Sequence, residues 1–452
     1  MQPDFTTIAG IIQDLFTKDL KKFGKNFITR MRKITLSAFA CVVIFAVMKV
    51  RNPSFAYLAE EFATQDISIT PQGVHNRFNE KSVELFRELL GAILSKINGI
   101  GYSSELPLLK MFNRVFLGDC SSFSLPDELK EEFPGCGGKN GSGQAALKMY
   151  CRMEVTSGKI ADLLFKPGKT SDHTILKEAE PTPEGSLVLH DLGFYNIILI
   201  CEYDEKGIYF ISRVPAGKVV TKDGIKCSIG TFLTTFGEGK DIIDTRIEIG
   251  EVRHPVRLVA FRAPPEVAQI RRKKMQEKHN DKKYKEGDKP LSQEQLMACE
   301  WTVYITNLSE EEYDPTDIYT LYRVRWQIEL FFKLMKSEAG VGAKEYTKGN
   351  VCLTFFYAML IGFLIMYCLT LLKGGPLEET SPTKKLRRVR EHVVFLAEAI
   401  YKSDFALLCR RIANLVHELD MICKQQSRNK DPSTRQALIA PKPPQLRPKK
   451  SK

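Results

Sequence analysis

The chain has 452 residues, 43% of them hydrophobic and 27% charged, with a formal net charge of +12. That length supplies one large or two to three ordinary domains with cores of their own, and the composition excludes a disordered or low-complexity chain. The charge is uneven, because residues 373–452 hold 18 Lys and Arg against 8 Asp and Glu, ten of the twelve net positive charges. Such a tail suits a polyanion such as nucleic acid or an anionic membrane surface, and equally a solvated solubilising tail. The 11 Cys run from Cys41 to Cys423 without a C-x-x-C pair or other metal spacing. With no signal-peptide pattern at the N-terminus, they read as reduced thiols in a cytoplasmic protein.

In chain order, residues 1–105 read as helical. The apolar run Ile34–Met48 is short for a bilayer span. After the short helix "SFAYLAEEFAT", Thr70 as N-cap and Pro71 at the first helical position start a helix running through "GAIL", with His75, Asn76 and Arg77 in its early turns. That order suits a helix-turn-helix-like DNA reader or a structural helical hairpin. Next come "NRVFLGDCSSF", a strand ending near Asp119, then "AALKMYCRMEV" and "IADLLFKPG" joined by the turn "TSGK". A short helix follows, then "SLVLHDLGF", ending at Asp191, and "GIYFISRV". Strands joined by tight turns, followed by strands reached through helices, make a mixed α/β sheet. The Gly-rich segment at 135–144 lacks the Lys-Ser/Thr ending of a phosphate loop and reads as a flexible connection ahead of the sheet.

Residues 214–318 interrupt this order with "KVVTKDGIKCSIG", "DTRIEIGEV" and "HPVRLVAFRA", a small antiparallel sheet. A densely charged stretch, "IRRKKMQEKHNDKKYKEGDK", is a solvated helix or loop, and "EWTVYITNL" returns to strand. "YRVRWQIELFFKLMK", residues 322–336, reads as one amphipathic helix. Tyr322, Arg325, Glu329, Lys333 and Lys336 share a wedge of about 80° at the helical period, while Val324, Ile328, Phe331, Leu334 and Met335 form the core face. The 22 residues Val351–Leu372 carry no charge. They are long enough to span a bilayer and equally suited to a buried core helix. The segment "VVFLAEAIYKSDFALLCRRIANLVHEL" is helical, either dimerising or packing internally.

Asp119 and Asp191 end apolar strands, where ligands bind in open α/β sheets, and Glu329 lies on the polar face of a later helix. If those strands are neighbours, the carboxylates converge. Their mutual repulsion is then best relieved by a pair of magnesium or manganese ions suited to phosphodiester chemistry. Arg325 and Lys336 around Glu329 suit an anionic substrate, and the Tyr322 hydroxyl can donate to a phosphate oxygen. The same pattern taken alone is that of a salt-bridged surface.

Tyr322, Arg325, Glu329 and Lys336, with the surrounding "RWQIELFFKLMK", resemble the Tyr-Arg-Glu-Lys signature of bacterial insertion-sequence transposases of the Asp-Asp-Glu class, the family called insertion sequence four. "FLGDCSSFSLP" and "LVLHDLGFYN" resemble its first and second Asp segments, in order, and the likeness covers residues 20 to 375. It implies a ribonuclease H-like mixed sheet core with a β-rich insertion, preceded by a helical N-terminal domain and followed by a helical basic C-terminal region. The implied organisation is a helical DNA-binding region over 1–105 and a first part of the core over 106–213. The insertion with its charged segment covers 214–318, the second part of the core with the signature helix 319–375, and the helical C-terminal region and basic tail 376–452.

The resemblance further implies that Asp119, Asp191 and Glu329 bind two Mg2+ ions, with Mn2+ as a substitute. Tyr322, Arg325 and Lys336 would hold phosphates at the transposon end, with Lys333 beside them. Trp301, on the strand leading into the signature, is either core or a platform for a flipped base at a DNA hairpin. The expected partners are double-stranded DNA, as terminal inverted repeats and target, and a second copy in a homodimer on DNA, with no membrane. The expected place is the cytoplasm of a bacterium, on the nucleoid. Cys120 after the first Asp, His190 before the second and the C-terminal 80 residues depart from the family pattern. His190 is either an active-site neighbour or, as a His beside a strand-end Asp more often is, structural. The rival functions are a non-catalytic DNA-binding derivative of a transposase and a membrane protein with a basic tail.

Overall fold

The computed structural model describes residues 4–24, 34–100, 106–136, 144–286, 292–341, 348–377, 380–422 and 433–440. The chain divides into two compact units. The first comprises residues 1–104, 118–180 and 326–428, the second 105–117, 181–325 and 429–452.

The first unit is built around the helix Gly349–Leu371. Without charge or proline, this segment has no polar side to turn to water, and it is buried around its whole circumference. By length and composition it could cross a membrane, but 94% of its most apolar window is buried inside the protein. It packs against the helices Glu80–Asn98, Leu36–Lys49 and Pro382–Tyr401. Gly362 permits one crossing, since a Cβ there would lie 2.6 Å from Met48 Cγ. The buried Ser82 and Thr354 hydroxyls join two of the helices at 2.8 Å. At the N-terminal end Glu128 accepts from the Gly349 amide at 2.7 Å. At the other end the buried Lys385 ammonium donates to the carbonyls of Lys373 at 2.8 Å and Gly374 at 3.1 Å. A carboxylate at the N-terminus and a cation at the C-terminus both oppose the helix dipole. The two C-terminal helices, Pro382–Tyr401 and Phe405–Ile422, pack on one another within this unit.

The helix starting at Thr70 is not continuous. Thr70 does cap it, accepting from the Gly73 amide, but it ends at His75, and a second helix runs from Glu80 to Asn98. Asn79 forms a capping box with Ser82, a start signal as strong as the first. Between them Phe78 turns into a ring cluster with Phe39, Phe55 and Phe355. Asn76 and Arg77 therefore lie in a turn, the Arg77 guanidinium donating back to the Gly73 carbonyl.

Strand β1 (Val115–Ser124) runs through both units, contributing residues from Gly118 onward to the first. There it lies beside β2 (Ala146–Glu154), which pairs antiparallel with β3 (Lys159–Pro167). The β1–β2 connection carries the Gly-rich segment, which is thus within the sheet order rather than ahead of it; residues 137–143 lie outside the described set.

In the second unit, Val115–Leu117 of β1 pair in parallel with β4 (Leu187–His190), and β4 in parallel with β5 (Tyr209–Arg213). The helix Ile197–Glu205 makes the β4–β5 crossover. The remaining strands are β6 (Val219–Lys222), β7 (Ile225–Ser228), β8 (Ile242–Ile249), β9 (His254–Arg262) and β10 (Trp301–Thr306). They pair antiparallel in the order β5-β10-β9-β8-β6-β7. The strands expected as a small separate sheet thus extend the parallel strands edge to edge. Helices Ile229–Phe236, Pro265–Glu286 and Gln293–Glu300 lie between them. The first was not foreseen: "TFLTTF" is rich in strand formers, but Ser228 caps it and Phe232 and Leu233 bury one face. The helix Thr434–Ile439 packs on Pro315–Arg323, while the basic tail 441–452 lies outside the described residues.

Replacing the fully buried Ile361 with Ala should cost about 2–5 kcal/mol, read as a lower denaturation midpoint with an unchanged slope, and the variant should still purify without detergent.

Candidate functional site

The signature stretch is not a single helix. Helix Pro315–Arg323 ends in i→i−3 bonds, from Val324 N to Leu321 O and from Arg325 N to Tyr322 O. This tightened turn shifts the register before helix Trp326–Lys333 begins. The next five residues, Leu334–Glu338, form a π-turn, closed by the Ala339 amide on the Leu334 carbonyl. The break falls where one unit gives way to the other, so Tyr322 and Arg325 belong to the second unit and Glu329, Lys333 and Lys336 to the first. The foreseen core face holds: Val324, Ile328, Phe331, Leu334 and Met335 are all buried.

In the first unit Asp119 lies in the middle of β1, five residues before its end, rather than at the strand terminus. Small polar residues after it keep the extended backbone. Its Oδ1 accepts from the Cys120 amide at 2.8 Å. Gly118 lets the Tyr150 ring of β2 lie across the strand, since a Cβ there would come within 2.7 Å of the Tyr150 hydroxyl. The Cys120 thiol is pushed far up by burial and then by the Asp172 carboxylate, which leaves it protonated and inert. Glu329 sits half-buried in the first turn of its helix, where the dipole favours an anion. Phe331 fixes that helix, its ring 5.1 Å from Phe363 and 5.4 Å from Tyr367 on the apolar core helix. Within the π-turn, Lys336 reaches back to β1, its ammonium 3.3 Å from the Ser122 carbonyl and 4.7 Å from the centre of the Phe123 ring. Burial lowers its pKa. Lys333 is exposed, one turn beyond Glu329.

In the second unit Asp191 follows β4 directly and opens the 3-10 turn Leu192–Phe194. The Tyr322 hydroxyl donates to its Oδ1 at 3.4 Å. Tyr322 is buried, with its ring 4.6 Å from Tyr304 and the Arg325 guanidinium 5.8 Å from its centre. Burial raises its pKa well above the ordinary tyrosine value, with Arg325 opposing and Asp191 adding to the rise. The phenol is therefore a proton donor throughout the physiological range. His190 is buried, its Nε2 2.8 Å from the Tyr203 hydroxyl and its ring stacked on that tyrosine. It is a packing residue, as its sequence context suggested.

Trp301 takes a core position. It is 1% exposed, with the Arg262 guanidinium 4.6 Å from its ring centre, and among the described residues its indole nitrogen has no hydrogen-bond partner. Its other surroundings include a cavity of about 610 Å³, also lined by Arg213, Arg271, Lys274, Leu233 and Cys299. Arg271 donates to the carbonyl of Trp301 at 3.2 Å and to the Thr302 hydroxyl at 3.0 Å. Burial, and then the charge of Arg213, lower its pKa. Two arginines that repel one another beside a cavity favour an anion within it. Arg213 was missed in the sequence, although it ends β5 as Asp191 follows β4, and the same strand-end rule would have found it.

Asp119 and Glu329 in the first unit and Asp191 in the second are each half-buried carboxylates, hard oxygen donors of the kind divalent cations take. Among the described residues no group of three or more His, Cys, Asp or Glu is gathered as a metal site.

A family model described as the transposase DDE domain matches residues 110–367. Over 446 residues the chain is 26% identical to the transposase for insertion sequence element IS231F of Bacillus thuringiensis subsp. israelensis, covering 92% of this chain and 91% of that protein. It is 26% identical over 421 residues to the transposase for insertion sequence element IS1151 of Clostridium perfringens, covering 86% of each. Over 226 residues it is 29% identical to the putative transposase InsL for insertion sequence element IS186A of Escherichia coli K12, covering 48% of this chain and 56% of that protein.

Because the folded Tyr322 holds its proton above the ordinary tyrosine value near 10, its contribution to stability is complete below that pH and is lost as the pH rises further. Tyr322→Phe should therefore fall less steeply than wild type in denaturation midpoint above about pH 10, measured by urea unfolding across an alkaline series.

Proposed function

We propose, from the premise that this chain belongs to the transposase DDE-domain family, that it cuts DNA at the ends of a mobile element and joins those ends to target DNA. The observation that carries this reading is the hydrogen bond from Tyr322 to Asp191. It joins two motifs 131 residues apart that the sequence singled out independently. The strand register supports it further: Leu117 pairs with Leu189 in parallel, and Asp119 and Asp191 each follow that pair by two residues.

In this reading Asp119, Asp191 and Glu329 are the catalytic carboxylates and would hold two magnesium ions, with manganese as a substitute. When bound, such ions lower the pKa of the attacking hydroxyl and stabilise the leaving oxygen of an in-line displacement. Tyr322 orients Asp191 through its hydroxyl, and as a permanent donor it also suits a phosphate oxygen. Arg325 offers a planar fork for bidentate phosphate contact, and Lys336 and Lys333 add point charges. Rate enhancement in phosphoryl transfer comes mainly from such positioning and electrostatics.

The DNA partner is the terminal inverted repeat, read with the help of the N-terminal helices, and then the target. Two copies pair two ends as a homodimer, in the bacterial cytoplasm on the nucleoid. A cut-and-paste route through a hairpin is supported by the cationic cavity beside the buried Trp301, which has room and charge for an extruded nucleotide.

The test is magnesium-dependent nicking of a duplex carrying the element's own terminal repeats. Wild type should cleave, and Glu329→Gln should lose at least about 10³-fold in rate while still binding, the scale on which a removed catalytic group registers. Equal cleavage by both proteins would overturn the carboxylate assignment. Lys333→Ala should weaken binding to all DNA sequences alike and reduce the slope of log K against log salt by about 1, measured by fluorescence anisotropy.

A further inference from the structure

We infer that Arg257, on β9 of the inserted strands, is a positioning residue for the reaction, clamping the loop that aims the Tyr322 end of helix Pro315–Arg323 at Asp191. The inference rests on the functional reading above.

The side chain is almost completely buried, and its guanidinium spans two structures. On one side it forms a fork with Asp244 of β8, Nε to Oδ1 and Nη2 to Oδ2, both at 2.7 Å. On the other, Nη1 donates to the carbonyls of Tyr313 at 2.7 Å, Ser309 at 3.0 Å and Leu308 at 3.4 Å. Those carbonyls belong to the connection between β10 and helix Pro315–Arg323. The start of that connection is pinned separately by Asn307, which accepts from the Phe210 amide at 2.9 Å and donates to the Ile208 carbonyl at 2.8 Å.

With both ends held, the chain enters an Asp314–Asp317 capping box, in which the Asp317 amide donates to Asp314 Oδ1 at 2.9 Å and the Asp314 amide to Asp317 Oδ2 at 3.1 Å. The helix then has nine residues, and Tyr322 is the last but one. Any swing at Tyr313 is carried along this short lever to the phenol. Arginine is required because a planar fork can serve a carboxylate and a set of carbonyls at once, whereas a lysine ammonium has three donors at one point. A purely stabilising ion pair has no need for loop carbonyls, and three of the five acceptors here are loop carbonyls.

The experiment compares Arg257→Lys and the milder Asp244→Asn in the full chain, each with and without Tyr322→Phe. End cleavage, end binding and amide hydrogen exchange are measured. Misplacement by the order of an ångström costs up to about 10²-fold in rate. Both single variants should therefore slow cleavage on the order of tenfold or more while binding ends nearly as wild type. They should speed exchange in residues 308–323 selectively. In the Tyr322→Phe background either change should add little, because both act through the same phenol. Multiplicative losses with Tyr322→Phe, or unchanged exchange in 308–323, would overturn the inference. If wild type itself fails to cut the ends, the functional reading fails, and the exchange pattern alone decides whether the clamp exists.

Discussion

Burial of one uncharged helix organises half of this protein. Gly349–Leu371 offers water nothing, so the three helices around it and the rings of Phe331, Phe78 and Phe123 close over it. At roughly 1.5–3 kcal/mol for each large apolar side chain removed from water, it is a dominant source of cohesion in its unit. Phe331 is the link from cohesion to chemistry: on the same short helix as Glu329, it converts core packing into the orientation of a carboxylate.

The second unit adds polar ties to an apolar core of its own. Its strands are tied by Asn307, Arg257 and the arginines around Trp301, and several of these donors end on main-chain carbonyls. Tyr322 belongs to the same system. Its ring is held by Tyr304 on one side and approached by Arg325 on the other, and its hydroxyl has Asp191 as acceptor. Desolvation keeps that phenol neutral, so it can serve a carboxylate without adding a second negative charge to an anionic neighbourhood. Under the proposed function this neutrality has a use, since phosphoryl chemistry gathers acids and must keep them from repelling the substrate.

Most strands were legible, because alternation and turn residues mark them locally: the "TSGK" turn between β2 and β3, and the apolar runs of β4, β5 and β10. The carboxylates were legible as residues but less so in their settings. Asp119 was expected near a strand end, yet the chain stays extended through the cysteine and serines that follow it. The helix break at Val324 has no glycine or proline to announce it, and the five-residue π-turn before Ala339 leaves no compositional trace. Phe78 and Asn79 divide the N-terminal helix through a ring cluster assembled from distant segments. Arg257 could not have been singled out at all, because its acceptors on the loop are carbonyls some 50 residues away, and carbonyls are common to every residue type.

Gly118 carries a consequence for the history of such genes. The space a side chain would need there is taken by Tyr150, whose ring is itself buried and cannot easily retreat. Any mutation to a larger residue must therefore displace either that ring or the strand bearing Asp119. If Asp119 acts as proposed, a genomic copy drifting without selection can fall silent at this glycine while its acidic residues all survive. On that reading, an inventory of intact carboxylates is not enough to tell a working copy from a silent one, and the small residue beside the first of them belongs in the count.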